Sequence, residues 1–245
     1  MIDLSGNLPW IGGALSHPAL TRAKGKASMP TSSESAARQA LARAYREVVG
    51  LGLTELSSGN LSVRFGEGML ISPAGASGDS ISEDSLVFVG PDDSWDPGQT
   101  PSSEWQLHAR IYRGSPGANA VVHTHSDYCV AVACHCQPLP GFHYMVGAFG
   151  GDDVPCVPYA TFGSETLARD VTEALQTRSA CLMSNHGATA RGGSLSAAVK
   201  LAHRLEICCR HYVLARALGE PRRLTAEEWA DFHQKVGNTG YGRPA

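Results

Sequence analysis

The sequence predicts one mixed α/β domain, and three observations carry the prediction. Strand-like apolar runs are interspersed with helically spaced segments along most of the chain. Two of the first strands flank Gly66-Glu67-Gly68 and read as a hairpin. The 245 residues, 42% of them hydrophobic, suit one large domain with a sizeable core, and no Pro/Gly/Ser linker divides the middle. Interspersed elements of both kinds argue against a helical bundle or a sandwich.

In chain order, residues 1–33 are poor in periodicity and rich in Gly, Ser and Pro. They are expected to form a loosely structured N-terminal extension, with the domain over 34–245. "SESAARQALARAYREVVGLGL" puts Leu41, Tyr45, Val48 and Val49 on one helical side. Ser33 or Ser35 could start this helix and Gly50 or Gly52 could stop it. "NLSVRF", "GMLIS" and "SLVFVG" follow as strands. "SSEWQLHARIYRG" is a helix closed by Gly114, and "NAVVHTH" is a strand leading to a helix in "DYCVAVAC". A helix at 164–176, a strand at "ACLMS" and a long helix over "SLSAAVKLAHRLEICCRHYVLARAL" come next. The last helix, "TAEEWADFHQKV", opens with a capping box of Thr225 and Glu228.

Composition excludes several functions. The net charge is −3 with both signs mixed throughout, so no basic stripe points to nucleic acid. No apolar run approaches the roughly 20 residues that cross a bilayer, and the first 20 residues lack the charged start of a signal peptide. Seven cysteines, an odd number, suit a reducing cytoplasm better than a disulfide framework. Cys134-His135-Cys136 has no partner pair for a zinc site, so buried small residues are expected there. Cys208 and Cys209 should face different sides of their helix.

The histidines carry the chemistry. In a strand, positions i and i+2 share a face, so His123 and His125 can converge on one ion. Zinc accepts imidazole nitrogen readily, and a catalytic site has three protein ligands and an open position. His186, after the strand "CLMS" and before Gly187, supplies a third. Alone, an H-x-H pair among ten histidines is unremarkable and could be two hydrogen-bonded, half-buried imidazoles.

Three further segments bear on the same chemistry. Glu104, placed in the first turn of its helix, could simply offset the helix dipole. Beside a metal-bound substrate it could act instead as general base and acid. Ser102 and Ser103 at that helix start could meet an anion with hydroxyls and unpaired amides. Ser57, Gly59 and Asn60, and the turn around Gly75, are ordinary turns that could also hold phosphate oxygens. None has the spacing of a Walker loop or a dinucleotide fingerprint.

Taken in order, "SGNLSVR", "MLISPAG", "PSSEWQLHARIY", "NAVVHTHSDYC", "FHYMVGAFGG", "VPCVPYATFGS", "NHGATA" and "KLAHRLE" resemble the class II aldolase/adducin family. The resemblance covers roughly residues 38–236. It implies a central, mainly antiparallel or mixed β-sheet covered by helices on both sides. It also implies a homotetramer with active sites at subunit interfaces. The implied metal is zinc, with Mn2+ as the alternative, held by His123, His125 and His186, with Glu104 beside it as catalytic acid/base. Phosphate would lie among Ser57, Asn60, Gly75, Ser102 and Ser103. Tyr144 would reach the neighbouring subunit's site as proton donor, Phe162 would line the aldehyde pocket, and Tyr241 is the candidate for a C-terminal pocket tyrosine.

The reaction so implied is aldol cleavage of a small ketose 1-phosphate, such as L-fuculose 1-phosphate, to dihydroxyacetone phosphate and an aldehyde. The negative charge left as an ene-diolate needs a Lewis acid. The same chemistry serves decarboxylation of a carboxylated substrate, the alternative, as well as epimerisation or dehydration. Family epimerases tend to carry aspartate where Glu104 stands. Pro73-Ala74-Gly75 departs from the Pro-Thr-Gly of the family's aldolases and lacks one phosphate-directed hydroxyl, which motivates the decarboxylase. A non-catalytic adducin-like scaffold should have lost metal ligands, and this chain keeps all three histidines and the glutamate.

Overall fold

The computed structural model describes residues 32–239. Most of the expected N-terminal extension, and Tyr241, lie outside these residues; Ser32 and Ser33 already belong to the first helix, α1 (Ser32–Gly50). Leu41, Tyr45 and Val48 are its buried side, and Gly52 follows with φ of 68°, where a side chain would be strained.

Seven strands form one open sheet: β1 (Asn60–Phe65), β2 (Gly68–Ile71), β3 (Val87–Val89), β4 (Ala120–Thr124), β5 (Cys156–Val157), β6 (Ala180–Met183) and β7 (Gly187–Gly192). Their order is β3-β2-β1-β4-β7-β6-β5. Only β5 and β6 run parallel; the other neighbours are antiparallel. The β1–β2 hairpin closes with Phe65 opposite Gly68, as the sequence predicts. β7 escapes sequence-based expectation. "GATARG" has neither alternation nor aromatic residues, and it becomes a strand because it is buried between β4 and β6.

The helices cover both faces, so side chains alternate between two cores. Leu61, Leu70, Val122, Leu182 and Ala190 pack with α1, α3 (Asp127–Ala133) and the long α5 (Leu195–Arg216). Ile71, Val87, Val121, Cys181 and Met183 pack with α2 (Trp105–Gly114) and α4 (Glu165–Ala174). The last helix, α6 (Ala226–Thr239), starts with the expected capping box: the Thr225 amide donates to Glu228 and the Glu228 amide donates to Thr225 Oγ1.

One cysteine expectation is corrected. Cys134 and Cys136 are exposed, because they fall in the turn that ends α3 rather than inside it. Cys208 and Cys209, adjacent on α5, are both buried, because that helix packs against α1, α3 and the sheet together. All seven cysteines are free thiols. Among the described residues no helix is long and apolar enough to cross a membrane.

Candidate active site

The site forms where β4 and the β6–β7 turn end, on the face covered by α2. His123 is the fourth residue of β4, opposite Asn60 of β1 and Thr189 of β7. His125 lies just past the strand end, a one-residue departure from the expected strand, and still shares the face of His123. His186 lies in the tight β6–β7 turn, after Asn185 with φ of 55°. Gly187 next to it has no room for a side chain: a Cβ there would stand 2.3 Å from the Thr124 carbonyl and 3.1 Å from the His125 ring.

The three imidazoles pack edge to face with centroids 4.8–4.9 Å apart. One ligand atom from each, with one Glu104 oxygen, forms a group whose members all lie within 4.8 Å of one another. His123 Nε2 is 2.9 Å from His125 Nε2 and 3.0 Å from Glu104 Oε2, and Glu104 Oε1 is 3.6 Å from His186 Nε2. The Ala188 carbonyl, which can only accept, takes a hydrogen bond from His123 Nδ1 at 3.0 Å. That fixes the tautomer and aims Nε2 into the cluster.

Glu104 is the N-cap of α2, not a first-turn residue, and its side chain makes no capping bond. An acid at the cap still lies near the positive end of the helix dipole, but its side chain is not spent on the helix amides. The carboxylate turns inward instead, and only 5% of the residue is exposed. Burial alone would raise its pKa, but His123 beside it wins and holds the carboxyl well below its usual range. Burial likewise pulls His123 down, and Glu104 more than offsets this and raises it. His125 and His186 are lowered to about 3 and about 4, chiefly by burial and then by the charge at His123. They are neutral lone-pair donors at neutral pH.

The cluster fits a divalent cation. Three nitrogens and a carboxylate form the donor set of a zinc-type site. Glu104 Oε1 is buried without a hydrogen-bond partner, which is costly unless something positive faces it.

A cavity of about 330 Å³ opens against this cluster. Ser57, Asn60, Gly75, Ser102, Ser103 and Phe162 all line it, together with Glu104, His125 and His186. Gly59 and Gly75, with φ of 78° and 70°, have the left-handed backbone expected of these turns. Tyr144 opens a 3-10 turn away from this cavity and is 45% exposed. Tyr159 and Asn185 also line the cavity, and neither was singled out from sequence. The unusual conformation of Asn185, just before His186, is a signal visible only in the backbone. A wider groove of about 930 Å³ between the C-terminal end of α5 and α6 contains none of the cluster residues.

Asn60 lines the cavity and also hydrogen-bonds behind it. Its Nδ2 donates to Glu104 Oε2 at 3.1 Å, and its Oδ1 lies 2.5 Å from His108 Nε2. The side chain serves the carboxylate, and the cavity's hydroxyls come from Ser57, Ser58, Ser102, Ser103 and Tyr159.

Fold and cluster together define a lyase of the class II aldolase type. The family described as Class II Aldolase and Adducin N-terminal domain matches residues 39–213, and the chain belongs to it. It is 41% identical over 205 residues to the 5-methylthioribulose-1-phosphate/5-deoxyribulose-1-phosphate aldolase of Rhodospirillum rubrum, covering 84% of this chain and 93% of that one. It is 40% identical over 182 residues to the L-fuculose phosphate aldolase of Escherichia coli strain K12, covering 74% of this chain and 85% of that one. A solved L-fuculose 1-phosphate aldolase superposes with a TM-score of 0.78 at 33% identity, covering 85% of this chain and 98% of that one.

Proposed function

We infer that this chain is a zinc-dependent aldolase that cleaves a small ketose 1-phosphate to dihydroxyacetone phosphate and an aldehyde. One observation carries the reading: the Glu104 carboxylate is buried among three convergent imidazoles at the side of a serine- and glycine-lined cavity. The similar relatives are named for L-fuculose phosphate and for 5-methylthioribulose 1-phosphate/5-deoxyribulose 1-phosphate, which supports a small ketose 1-phosphate as the substrate.

His123, His125 and His186 would hold the cation, with Glu104 beside them. When bound, it supplies a Lewis acid that stabilises the charge left as the C3–C4 bond breaks. Ser57, Ser102, Ser103 and the backbone around Gly59 and Gly75 orient the phosphate end. Glu104 carries the proton to or from the dihydroxyacetone phosphate carbon. Its depressed pKa keeps it an acceptor at neutral pH. Tyr144, exposed on this chain's surface, reaches a neighbouring subunit's cavity in a homotetramer and protonates the aldehyde-derived oxygen. Phe162 lines the aldehyde end, and Tyr241 remains the C-terminal candidate there. Free thiols throughout suit a cytoplasmic enzyme.

Ala74 favours the second reading, decarboxylation of a carboxylated substrate. It offers no hydroxyl, and its amide already donates to the Thr100 carbonyl at 3.0 Å. Assaying triose-phosphate release against carbon dioxide release over ketose 1-phosphates and carboxylated analogues separates the two. Carbon dioxide release without triose phosphate would replace the aldolase reading.

A further inference from the structure

We propose that His108 is a positioning residue that acts on Glu104 through the amide of Asn60. The inference rests on the reading of Glu104 as the proton-transfer group, and it assigns that group's orientation to a polar seam running back into the core.

The seam follows from element geometry. Glu104, His108 and Tyr112 lie four apart and fall on one side of α2. Asn60, Ser62 and Arg64 lie two apart and fall on one face of β1. Four helical residues advance about 6 Å and two strand residues about 6.8 Å, so the two stripes stay nearly in step. They interleave. Asn60 Nδ2 is 3.1 Å from Glu104, Asn60 Oδ1 is 2.5 Å from His108 Nε2, and His108 Nδ1 is 2.7 Å from Ser62 Oγ. Ser62 Oγ is 2.8 Å from the Tyr112 hydroxyl, and the Arg64 guanidinium lies 4.9 Å over the Tyr112 ring.

The order of donors is forced from one end. A carboxylate only accepts, so Asn60 turns its NH₂ to Glu104 and its oxygen to His108. That oxygen only accepts, so His108 carries its proton on Nε2. Burial pushes the His108 pKa down to about 3, so the ring is neutral and Nδ1 must accept from Ser62. The Ser62 oxygen then accepts from Tyr112. Ser62 and His108 are wholly buried, and Asn60 and Tyr112 nearly so, so water offers no substitute partner.

The consequence falls on Glu104. If the Asn60 amide rotated, its oxygen would face the carboxylate and its NH₂ would face the His108 N–H, which is repulsive at both ends. His108 therefore holds Asn60 in one orientation, and Asn60 holds Oε2. That leaves Oε1, beside His186, as the oxygen without a partner.

The test is solvent-deuterium exchange into dihydroxyacetone phosphate by zinc-loaded enzyme. Asparagine at 108 reaches about as far as Nδ1, and glutamine about as far as Nε2. His108→Asn should lower the maximal exchange rate about tenfold, the effect of one lost hydrogen bond on the barrier, with half-saturation nearly unchanged. His108→Gln should restore most of the rate. In a double-mutant cycle with Glu104→Gln, His108→Asn should add nothing further. Additive effects, or equal losses in both His108 variants, overturn the proposal.

If Glu104→Gln exchanges at the wild-type rate, the functional reading itself fails. If Glu104→Gln loses exchange while His108→Asn keeps it, only the positioning role fails. ¹⁵N spectra of histidine-labelled wild type make the test independent of whether a variant folds. The His108 ring should be neutral with its proton on Nε2, and a proton on Nδ1 overturns the proposal.

Discussion

His123 Nε2 and Glu104 Oε2 lie 3.0 Å apart, both side chains buried and Glu104 at the inner wall of the cavity. A strand from the middle of the sheet and the cap of a helix over its face deliver a base and an acid to one point. Each favours the other's charged form: Glu104 raises His123 and His123 lowers Glu104, both against the effect of burial. The negative field that favours a proton at His123 equally favours a cation among the three imidazoles.

Glu104→Gln should keep the fold, with zinc still held by the three histidines, and lower turnover by on the order of 10²–10⁴-fold, because glutamine preserves shape but can neither accept nor return the proton. Metal content and triose-phosphate release measured on one preparation decide it. Turnover at the wild-type level would return Glu104 to a structural role.

His123→Ala, His125→Ala and His186→Ala should each lower zinc occupancy sharply after dialysis against a fixed zinc concentration, because two imidazoles rarely hold the ion that three hold. A variant with full zinc and full activity removes that histidine from the site.

Gly187→Ala should destabilise the protein by about 1–3 kcal/mol and weaken metal binding together, since the added carbon meets the Thr124 carbonyl and the His125 ring. Gly50→Ala, which meets nothing within 4 Å, is the control. Urea midpoints and zinc titrations of the two variants give the comparison.

His108 makes stability depend on pH. Its folded pKa, about 3, lies below the ordinary 6.5, so the unfolded chain takes up the proton first as pH falls. The contribution is complete above about pH 6.5 and is lost from there down toward pH 3, at about 1.4 kcal/mol per pH unit. His108→Gln removes this term while the other histidines stay. Between pH 6.5 and 4.5 wild type should therefore lose on the order of 2 kcal/mol more than the variant. Parallel denaturation curves at both pH values would contradict a buried neutral His108.

Shared sites can be tested by mixing subunits. Glu104→Gln and Tyr144→Phe chains, each nearly inactive, should regain about a quarter of wild-type activity when refolded together at equal amounts. Random neighbours then rebuild one intact site in four. No recovery would place Tyr144 outside a neighbour's cavity.

What the sequence determined by itself is what depends on local pattern and on residue identity. Period-two and helical spacings marked five of the seven strands, all but β5 and β7, and every α-helix. The glycine turns, the capping box of Thr225 and Glu228, and the three histidines at element ends were equally legible. Ordered motifs carried the family. Tertiary structure alone decided the rest. β7 is a strand because β4 and β6 bury it, although its own residues have no strand character. Glu104 points inward because His123 and Asn60, distant in sequence, offer it charge and a hydrogen bond that the helix start does not. The exposure of Cys134 and the burial of both Cys208 and Cys209 depend on which neighbours pack there. The Asn60 side chain meets Glu104 on one side and His108, forty-eight residues further along the chain, on the other. Spacing within a segment reports which way a side chain leaves the backbone; only packing between segments determines what it meets.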